Sequence, residues 1–385
     1  MSNEILTPQY VPPYQEGTKK AKKQKSGAFG RFIRRTLLLL LTVVLLAAGA
    51  LVVILYTIFH GPSETARNVL TMSLTEASAT KWVPGLFLGD ELVAEIRSKT
   101  GDEMTDAFTD TSKITINKDT INTVTDEWKD YPDGIRIEEI SGDTYNAHVM
   151  IIRDPSLVYM ATSTPGSFSE SIPGTRINQQ IETEGAIAAI NAGAFNDDGT
   201  ANSYVGSVPA GLLIVDGAVR SNKYHERVPE EGFAGFTKDN ILVVAKKMSP
   251  DDALAQGIRD GCEFGPVLII NGEVNQEAYN KNSGYNPRTC IGQRADGAVI
   301  FLCIDGRQAG SLGGTYRDCI DIMMEYGAVN ACNMDGGSSS VMLYRDAYGR
   351  YGEAGKVQMI NSYSLLQSEP RRMPNFWMVR PAKEG

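Results

Sequence analysis

The spacing of hydrophobic positions changes along the chain, and the first change marks a continuous apolar segment. Residues 36–59 form a run of 24 residues without a charge, dominated by Leu, Val, Ile and Ala. At the rise of an α-helix such a run is long enough to cross the apolar core of a bilayer. The pattern therefore predicts one transmembrane helix over residues 36–60.

The next segment, residues 61–133, carries a weaker helical pattern. Apolar positions at helical spacing over residues 63–100 predict two short helices, broken near Pro84 and Gly85. Residues 101–133 are polar and rich in Thr and Asp, which is typical of a linker. We expect a helical stalk and a linker here.

Strand patterns dominate from residue 134 onward. Three segments place Asp-Gly or Asn-Gly between β-forming runs and predict hairpins: GLLIVDGAVR, GPVLIINGEV and RADGAVIFLCI. One amphipathic helix follows Thr315, whose spacing to Asp318 is that of a capping box. The chain is therefore predicted to be α+β, with a single mixed, largely antiparallel-sheet domain with a few helices over residues 134–383.

Charge divides the chain at the apolar run. Residues 1–36 hold eight Lys or Arg and two acids, a net charge of +6, whereas the whole chain carries −9, so the remainder carries −15. A basic flank stays on the cytoplasmic side, which predicts a disordered cytoplasmic tail over residues 1–35 and an extracellular C-terminal domain. A cleaved signal peptide is the alternative, but the apolar run is long for one and no small-residue cleavage site follows.

Composition and motifs exclude several functions. The acidic exterior argues against a nucleic-acid partner, because phosphate backbones are bound through clustered Lys and Arg. The three histidines are scattered, and neither a GxSxG elbow nor a phosphate-binding P-loop is present, so Ser/His hydrolysis and nucleotide chemistry are disfavoured.

The five cysteines also argue against a zinc site, because no CxxC or Cys/His spacing accompanies them. Their apolar surroundings favour reduced core thiols over a disulfide, although an exterior location favours oxidation. The sequence leaves both open.

Two strand-end carboxylates are the candidates for chemistry. Asp335 ends AVNACNMD and is followed by two glycines and three serines, which gives more backbone freedom than a hairpin needs. Asp305 is followed by the glycine-rich segment GRQAGSLGG. A plain turn is the competing explanation for each. Two nearby carboxylates would supply the acid/base and nucleophile, or water activator, of glycosyl transfer to water.

Three polar residues accompany these carboxylates. Arg288 and Arg307 are suited to clamping an anionic group through forked hydrogen bonds, with structural ion pairs as the alternative. Asn191 ends the apolar strand AIAAIN and is either a ligand-facing amide or part of an Asx turn.

Six segments in order resemble the phosphodiester glycosidase family: INAGAF, GSVPAGLLIVDG, FGPVLIINGE, PRTCIGQRADG, CIDGRQAGSLGGT and NMDGGSSS. The resemblance implies hydrolysis of a sugar-1-phosphodiester. It points to Asn191, Arg288, Asp305, Arg307, Asp335, Gly336 and Gly337. From these groups we expect Asp305 and Asp335 to be catalytic, and Asn191, Arg288, Arg307, Gly336, Gly337 and Ser338 to bind substrate or phosphate. Ala192, Ala194, Asp318 and Ser338 depart from the family pattern. A divalent cation such as calcium, held by carboxylate and serine oxygens, is the one cofactor suggested.

These expectations combine into a membrane-anchored extracytoplasmic hydrolase acting on a sugar-phosphate polymer or glycoconjugate in cell-wall or exopolysaccharide material. The alternatives are a non-catalytic polysaccharide-binding module that uses the same cleft and an envelope-assembly protein.

Overall fold

The computed structural model describes residues 26–75, 80–98, 108–117, 121, 125–196, 205–363 and 369–382. The chain divides into two compact units, Met1–Thr57 and Ile58–Gly385. Helix α1 spans Ser26–His60, and its portion Arg31–His60 is long and apolar enough to cross a membrane. A membrane anchor and a signal sequence both meet this test of length and composition. Most of the predicted tail, residues 1–25, lies outside the described residues.

The second unit begins with three short helices, where the sequence predicted two. They are α2 (Glu64–Thr75), α3 (Val83–Leu88) and α4 (Asp90–Ser98). The predicted break at Pro84 was wrong, because Pro84 lies in the first turn of α3, where its missing N–H is not needed. Gly89, with a φ of 77°, separates α3 from α4 instead.

The rest of the second unit contains more strand than helix. Its helices are α5 (Ile177–Glu184), α6 (Pro250–Ala255), α7 (Gln276–Asn280) and α8 (Tyr316–Glu325). Its strands are β1 (Ile135–Ser141), β2 (Asn146–Ile152), β3 (Val158–Thr162), β4 (Thr175–Arg176), β5 (Ala188–Asn191), β6 (Gly211–Val215), β7 (Ala218–Lys223), β8 (Phe233–Thr237), β9 (Leu242–Ala245), β10 (Ile258–Glu263), β11 (Val267–Ile270), β12 (Glu273–Val274), β13 (Arg288–Arg294), β14 (Val299–Ile304), β15 (Ala328–Met334), β16 (Met342–Arg345), β17 (Val357–Met359), β18 (Arg372–Met373) and β19 (Asn375–Val379).

These strands form one large sheet and three smaller ones. The seven-stranded sheet has the order β1-β2-β14-β13-β15-β11-β12. Two five-stranded sheets have the orders β7-β6-β10-β8-β9 and β17-β16-β5-β19-β3, and β18 pairs with β4. The strand pairs in the described residues are antiparallel, which confirms the predicted α+β class.

Alternating side chains give the seven-stranded sheet two apolar faces. In β14, Val299, Phe301 and Cys303 join a central core to which the seven-stranded sheet and both five-stranded sheets contribute. The intervening Ile300, Leu302 and Ile304 join an outer core with α8. Every residue of β14 is buried, because both faces of the sheet are covered.

Local sequence signals in this unit are confirmed. The three predicted hairpins are the antiparallel pairs β6–β7, β11–β12 and β13–β14. Thr315 and Asp318 form the capping box at the start of α8.

The five cysteines are free and buried. Burial raises the pKa of the Cys262, Cys290 and Cys332 thiols, so these thiols are structural.

Described parts of residues 108–133 contact the sheets. The Thr109 hydroxyl donates to the carbonyl of Val244, in β9, at 2.9 Å, and Lys113 Nζ donates to the carbonyl of Asn271 at 2.8 Å. Trp128 is buried in the outer core. The predicted linker therefore contributes side chains to the folded unit.

Candidate active site

A cavity of about 440 Å³ lies near the beginning of β13, the end of β15 and the first residue of α8. Its walls combine charged, amide and aromatic side chains with the glycines after β15. The lining residues are Met72, Thr75, Pro229, Glu230, Phe264, Lys281, Asn286, Arg288, Arg307, Tyr316, Asn333, Asp335, Gly336 and Gly337. Such a concave site with a few convergent polar groups is suited to a small ligand.

Arg288, the first residue of β13, is buried at the cavity wall. Its Nε donates to the carbonyl of Gly314 at 3.1 Å, and an Nη donates to the carbonyl of Ser283 at 2.7 Å. The guanidinium lies 4.4 Å from the centroid of the Tyr316 ring. These contacts hold the charge in one place, so the site does not have to order it when a ligand binds.

Arg307 reaches the same cavity from the loop after β14. One of its Nη atoms donates to Asn286 Oδ1 at 3.0 Å. The guanidinium lies against Gly337, where an added Cβ would approach an Arg307 Nη atom to 3.2 Å and where φ is 62°. Gly336 is equally constrained, because a Cβ there would lie 2.8 Å from the carbonyl oxygen of Pro287. The two glycines therefore allow the loop to lie against Arg307 and Pro287.

Backbone donors in this loop are partly used inside the protein. The Gly337 N–H donates to the carbonyl of Pro287 at 2.9 Å. This hydrogen bond holds the loop against Pro287 at the cavity wall.

Asp335 follows β15 and is half-buried at the cavity wall. Its backbone is held on both sides, because its N–H donates to the carbonyl of Ala192 at 3.0 Å and its carbonyl accepts from Asn191 Nδ2 at 2.6 Å. Asn191 is completely buried, and its Oδ1 accepts from Thr289 Oγ1 and from the Val341 N–H. Asn191 thus positions Asp335 and does not line the cavity.

Asp305 does not line the cavity either. Asp305 is two residues after Cys303, so the alternation along β14 directs both side chains toward the central core. Asp305 Oδ2 lies 3.4 Å from Nε2 of His148, which is the cross-strand partner of Cys303. Arg288 is the cross-strand partner of Ile304, whose side chain faces the outer core. The pleat therefore directs Asp305 and Arg288 to opposite faces of the sheet.

Ser338 is exposed just beyond the cavity. Its carbonyl accepts from the Tyr363 hydroxyl at 2.5 Å, and its Oγ accepts from an Nη of Arg371 at 3.3 Å. Burial raises the pKa of Tyr363, and the charge of Asp335 adds to this effect. Tyr363 therefore stays protonated and fixes the loop as a donor.

The sequence did not single out the ion pair of Glu230 and Lys281 at the cavity wall. Lys281 Nζ lies 2.6 and 2.7 Å from the two carboxylate oxygens of Glu230. The residues are 51 positions apart in loops without a motif, so no local signal joins them. Asn286, Asn333 and Tyr316 were also missed, as were Met72 and Thr75 from α2.

The cavity carries three cationic side chains and two carboxylates among the described residues. The charges of Lys281 and Glu230 cancel, so the remaining charges are those of the two arginines and Asp335. The resulting single positive charge matches a phosphodiester, which carries one negative charge, and arginine is the side chain best suited to two phosphate oxygens.

Support for a bound divalent cation is weak in the described part of the chain. It contains no cluster of three or more His, Cys, Asp or Glu side chains arranged to hold a metal ion. Calcium takes six to eight oxygen ligands, whereas the carboxylates of the described cavity wall are Asp335 and a Glu230 bonded to Lys281, and the amide oxygen of Asn286 accepts from Arg307. These residues do not fit the expected calcium ion.

A family model described as phosphodiester glycosidase matches residues 184–380, just over half of the chain. The chain belongs to the phosphodiester glycosidase family. The family and fold support a glycosidase-type hydrolase acting on phosphodiesters.

Two solved structures are similar to this chain. The zebrafish N-acetylglucosamine-1-phosphodiester alpha-N-acetylglucosaminidase catalytic domain, solved in a form auto-inhibited by its pro-peptide, has a TM-score of 0.50 and 18% identity; the match covers 74% of this chain and 97% of that one. A hypothetical protein from Synechocystis has a TM-score of 0.41 and 16% identity over 64% of this chain and 61% of its own.

Among curated proteins, the SPbeta prophage-derived uncharacterized protein YomE of Bacillus subtilis (strain 168) is 27% identical over 165 residues. The match covers 40% of this chain and 24% of YomE, so it spans about a quarter of that relative.

Proposed function

We propose that this chain hydrolyses a sugar-1-phosphodiester, of the N-acetylglucosamine-1-phosphodiester type, and releases the sugar and a phosphomonoester. The observation that carries the proposal is the cavity that Arg288, Arg307 and the Asp335 carboxylate line together. The family supports the bond class, and the charge of the cavity supports an anionic diester substrate.

In the proposed mechanism, Arg288 and Arg307 bind the phosphodiester oxygens and stabilise the charge that the leaving phosphate gains. Asp335 assists attack at the anomeric carbon, either directly or through water. A phosphomonoester is a good leaving group, so a strong proton donor is less necessary than for a simple alcohol. Asn191 holds the Asp335 carbonyl, and Asp305 acts through the loop that carries Arg307.

The location and the natural substrate complete the proposal. The helix α1, with basic residues before it, supports an anchor that leaves the second unit outside the cell. An exterior enzyme of this kind would meet sugar-phosphate polymers or glycoconjugates of the cell wall or exopolysaccharide.

The direct test uses the full chain purified in detergent and an N-acetylglucosamine-1-phosphodiester, with release of the sugar as the measurement. We expect turnover that is lost in Asp335→Asn. Full activity in both Asp335→Asn and Asp305→Asn would contradict the assignment. Binding without turnover in the unmodified chain would favour a non-catalytic polysaccharide-binding module.

A further inference from the structure

A second cavity of about 260 Å³ adjoins the candidate active site. Both cavities are lined by Pro229, Glu230 and Lys281, so the Glu230–Lys281 ion pair lies between them. The Lys281 side chain is only 11% exposed, which places this divider well inside the protein surface. A ligand extending past the ion pair therefore enters the second cavity.

The second cavity is also lined by an ion pair that does not line the first, Lys246 with Glu277. Their closest charged atoms are 3.6 Å apart, and each side chain is 25% exposed. This separation is too long for a hydrogen bond, and within the described residues neither side chain makes one elsewhere. Their hydrogen-bonding groups thus face space that a ligand can occupy.

The chemistry of the walls distinguishes among ligands. Three carboxylates, Glu230, Glu231 and Glu277, line the second cavity with two ammonium groups, Lys246 and Lys281. The excess of carboxylates disfavours a second phosphate. Sugar hydroxyls both donate and accept hydrogen bonds, so they can satisfy carboxylates and ammonium groups together.

Volume limits the occupant to a small group. Pockets for drug-sized ligands are about 300–1,000 Å³, and this cavity is smaller. Resting on the function proposed above, we propose that it is a subsite for one neutral polyhydroxy unit, a sugar or polyol, joined to the sugar phosphodiester in the main cavity. The chain would then prefer a segment of a polymer over a minimal diester.

The experiment compares kcat/KM of the full chain for three substrates. One is the methyl diester of a sugar-1-phosphate, and the others carry one extra hexose, attached on the alcohol side or on the sugar side. We expect at least one extended substrate to be preferred by about tenfold, the scale of one or two hydrogen bonds. Whichever extended substrate is preferred, on the alcohol side or on the sugar side, identifies the end of the substrate that enters the second cavity.

The double variant Lys246→Met, Glu277→Gln tests the assignment of residues. We expect the preference for the extended substrate to fall toward one. The control is Lys356→Met, which breaks the ion pair with Glu353, 2.8 Å apart and 65% exposed on both sides. It should leave the preference unchanged.

Two results would overturn the subsite: equal kcat/KM for all three substrates in the unmodified chain, or a preference that persists in the double variant. Failure of the proposed function is separate, since it means that none of the three is hydrolysed. Calorimetric binding of the same compounds then supplies the affinity ratio, and that ratio supports or overturns the subsite on the same criteria.

Discussion

Asp335 and Asp346 both follow a buried strand, yet they have different surroundings. Asp335 comes after β15 and lines a cavity with two arginines. Asp346 comes after β16 and is 1% exposed, with its carboxylate enclosed by its own turn. The same sequence signal, a strand-end aspartate, therefore gives a candidate active-site group in one place and a structural group in the other.

The turn after Asp346 surrounds its carboxylate with hydrogen-bond donors. It accepts from the N–H groups of Tyr348, Arg350 and Tyr351, and from the Arg350 guanidinium at 3.0 and 3.2 Å. Burial alone raises the pKa of Asp346, but these hydrogen bonds outweigh it and hold that pKa below its ordinary value. The Arg350 guanidinium also pairs with Asp133 at 2.7 Å.

The difference shows what distinguishes a site from a structural network. After Asp335 come Gly336 and Gly337, which admit Arg307 and Pro287 close to the backbone. After Asp346 comes a turn whose own N–H groups face the carboxylate. The residues after the aspartate, and not the aspartate, determine whether a ligand has access.

The largest expected effect is that of Asp335→Asn. Removing the proposed acid/base or nucleophilic carboxylate should lower kcat by about 10²–10⁴-fold, with little change in thermal stability. Steady-state hydrolysis of the minimal diester and a thermal melt measure the two quantities. A kcat within threefold of the unmodified chain would remove Asp335 from the chemistry.

Arg307→Lys should have the next largest effect. Lysine keeps the charge but loses the planar fork that fits two phosphate oxygens, so we expect kcat/KM to fall by about 10²-fold. The matched control is Arg345→Lys, whose guanidinium pairs with the exposed Glu182 away from the cavity. Similar losses in both variants would show that Arg307 has no specific part.

Asp305→Asn should reduce activity much less than Asp335→Asn. Because Asp305 lies on the opposite face from Arg288, it acts only through the loop to Arg307, and we expect a loss within about tenfold. Comparing the two kcat values under the same conditions is the measurement. Equal losses would restore Asp305 as a second catalytic carboxylate.

Asp346→Asn should leave kcat unchanged and lower stability. Loss of the charged acceptor for several N–H groups should cost about 1–3 kcal/mol in the free energy of unfolding. Because the folded-state pKa of Asp346 is lowered, its stabilisation is complete above the unfolded-state pKa and is lost as pH falls through the folded-state pKa. Denaturant unfolding below about pH 4 should therefore show a shallower loss of stability with acid in the variant than in the unmodified chain.

The sequence predicted features that depend on neighbouring residues. The hairpins at Asp216, Asn271 and Asp296 and the capping box at Thr315 are set by a few adjacent positions, so local chemistry identifies them. Arg288, Arg307 and Asp335, which the sequence singled out, line one cavity, and glycine-rich loops at strand ends are the local signal that leaves room for a ligand.

Features set by strand register were beyond the sequence. Whether Asp305 shares a face with Arg288 depends on how β13 pairs with β14, and one step of register would reverse the answer. The Glu230–Lys281 pair joins two loops through the tertiary fold alone. Asn191 has the polarity of a ligand-binding residue, but its burial depends on β5 lying inside its sheet between β16 and β19.

Helix α2 gives the cavity a particular place in the order of folding. Met72 and Thr75 line the cavity, and Ser73 Oγ accepts from the N–H of Tyr285, 212 residues later in the chain. Contacts between such distant positions require closing a long loop, which is slow compared with forming a hairpin. During synthesis α2 is made well before the loop at residues 281–286 that it contacts. The cavity is therefore complete only when the loop at residues 281–286 has closed onto α2.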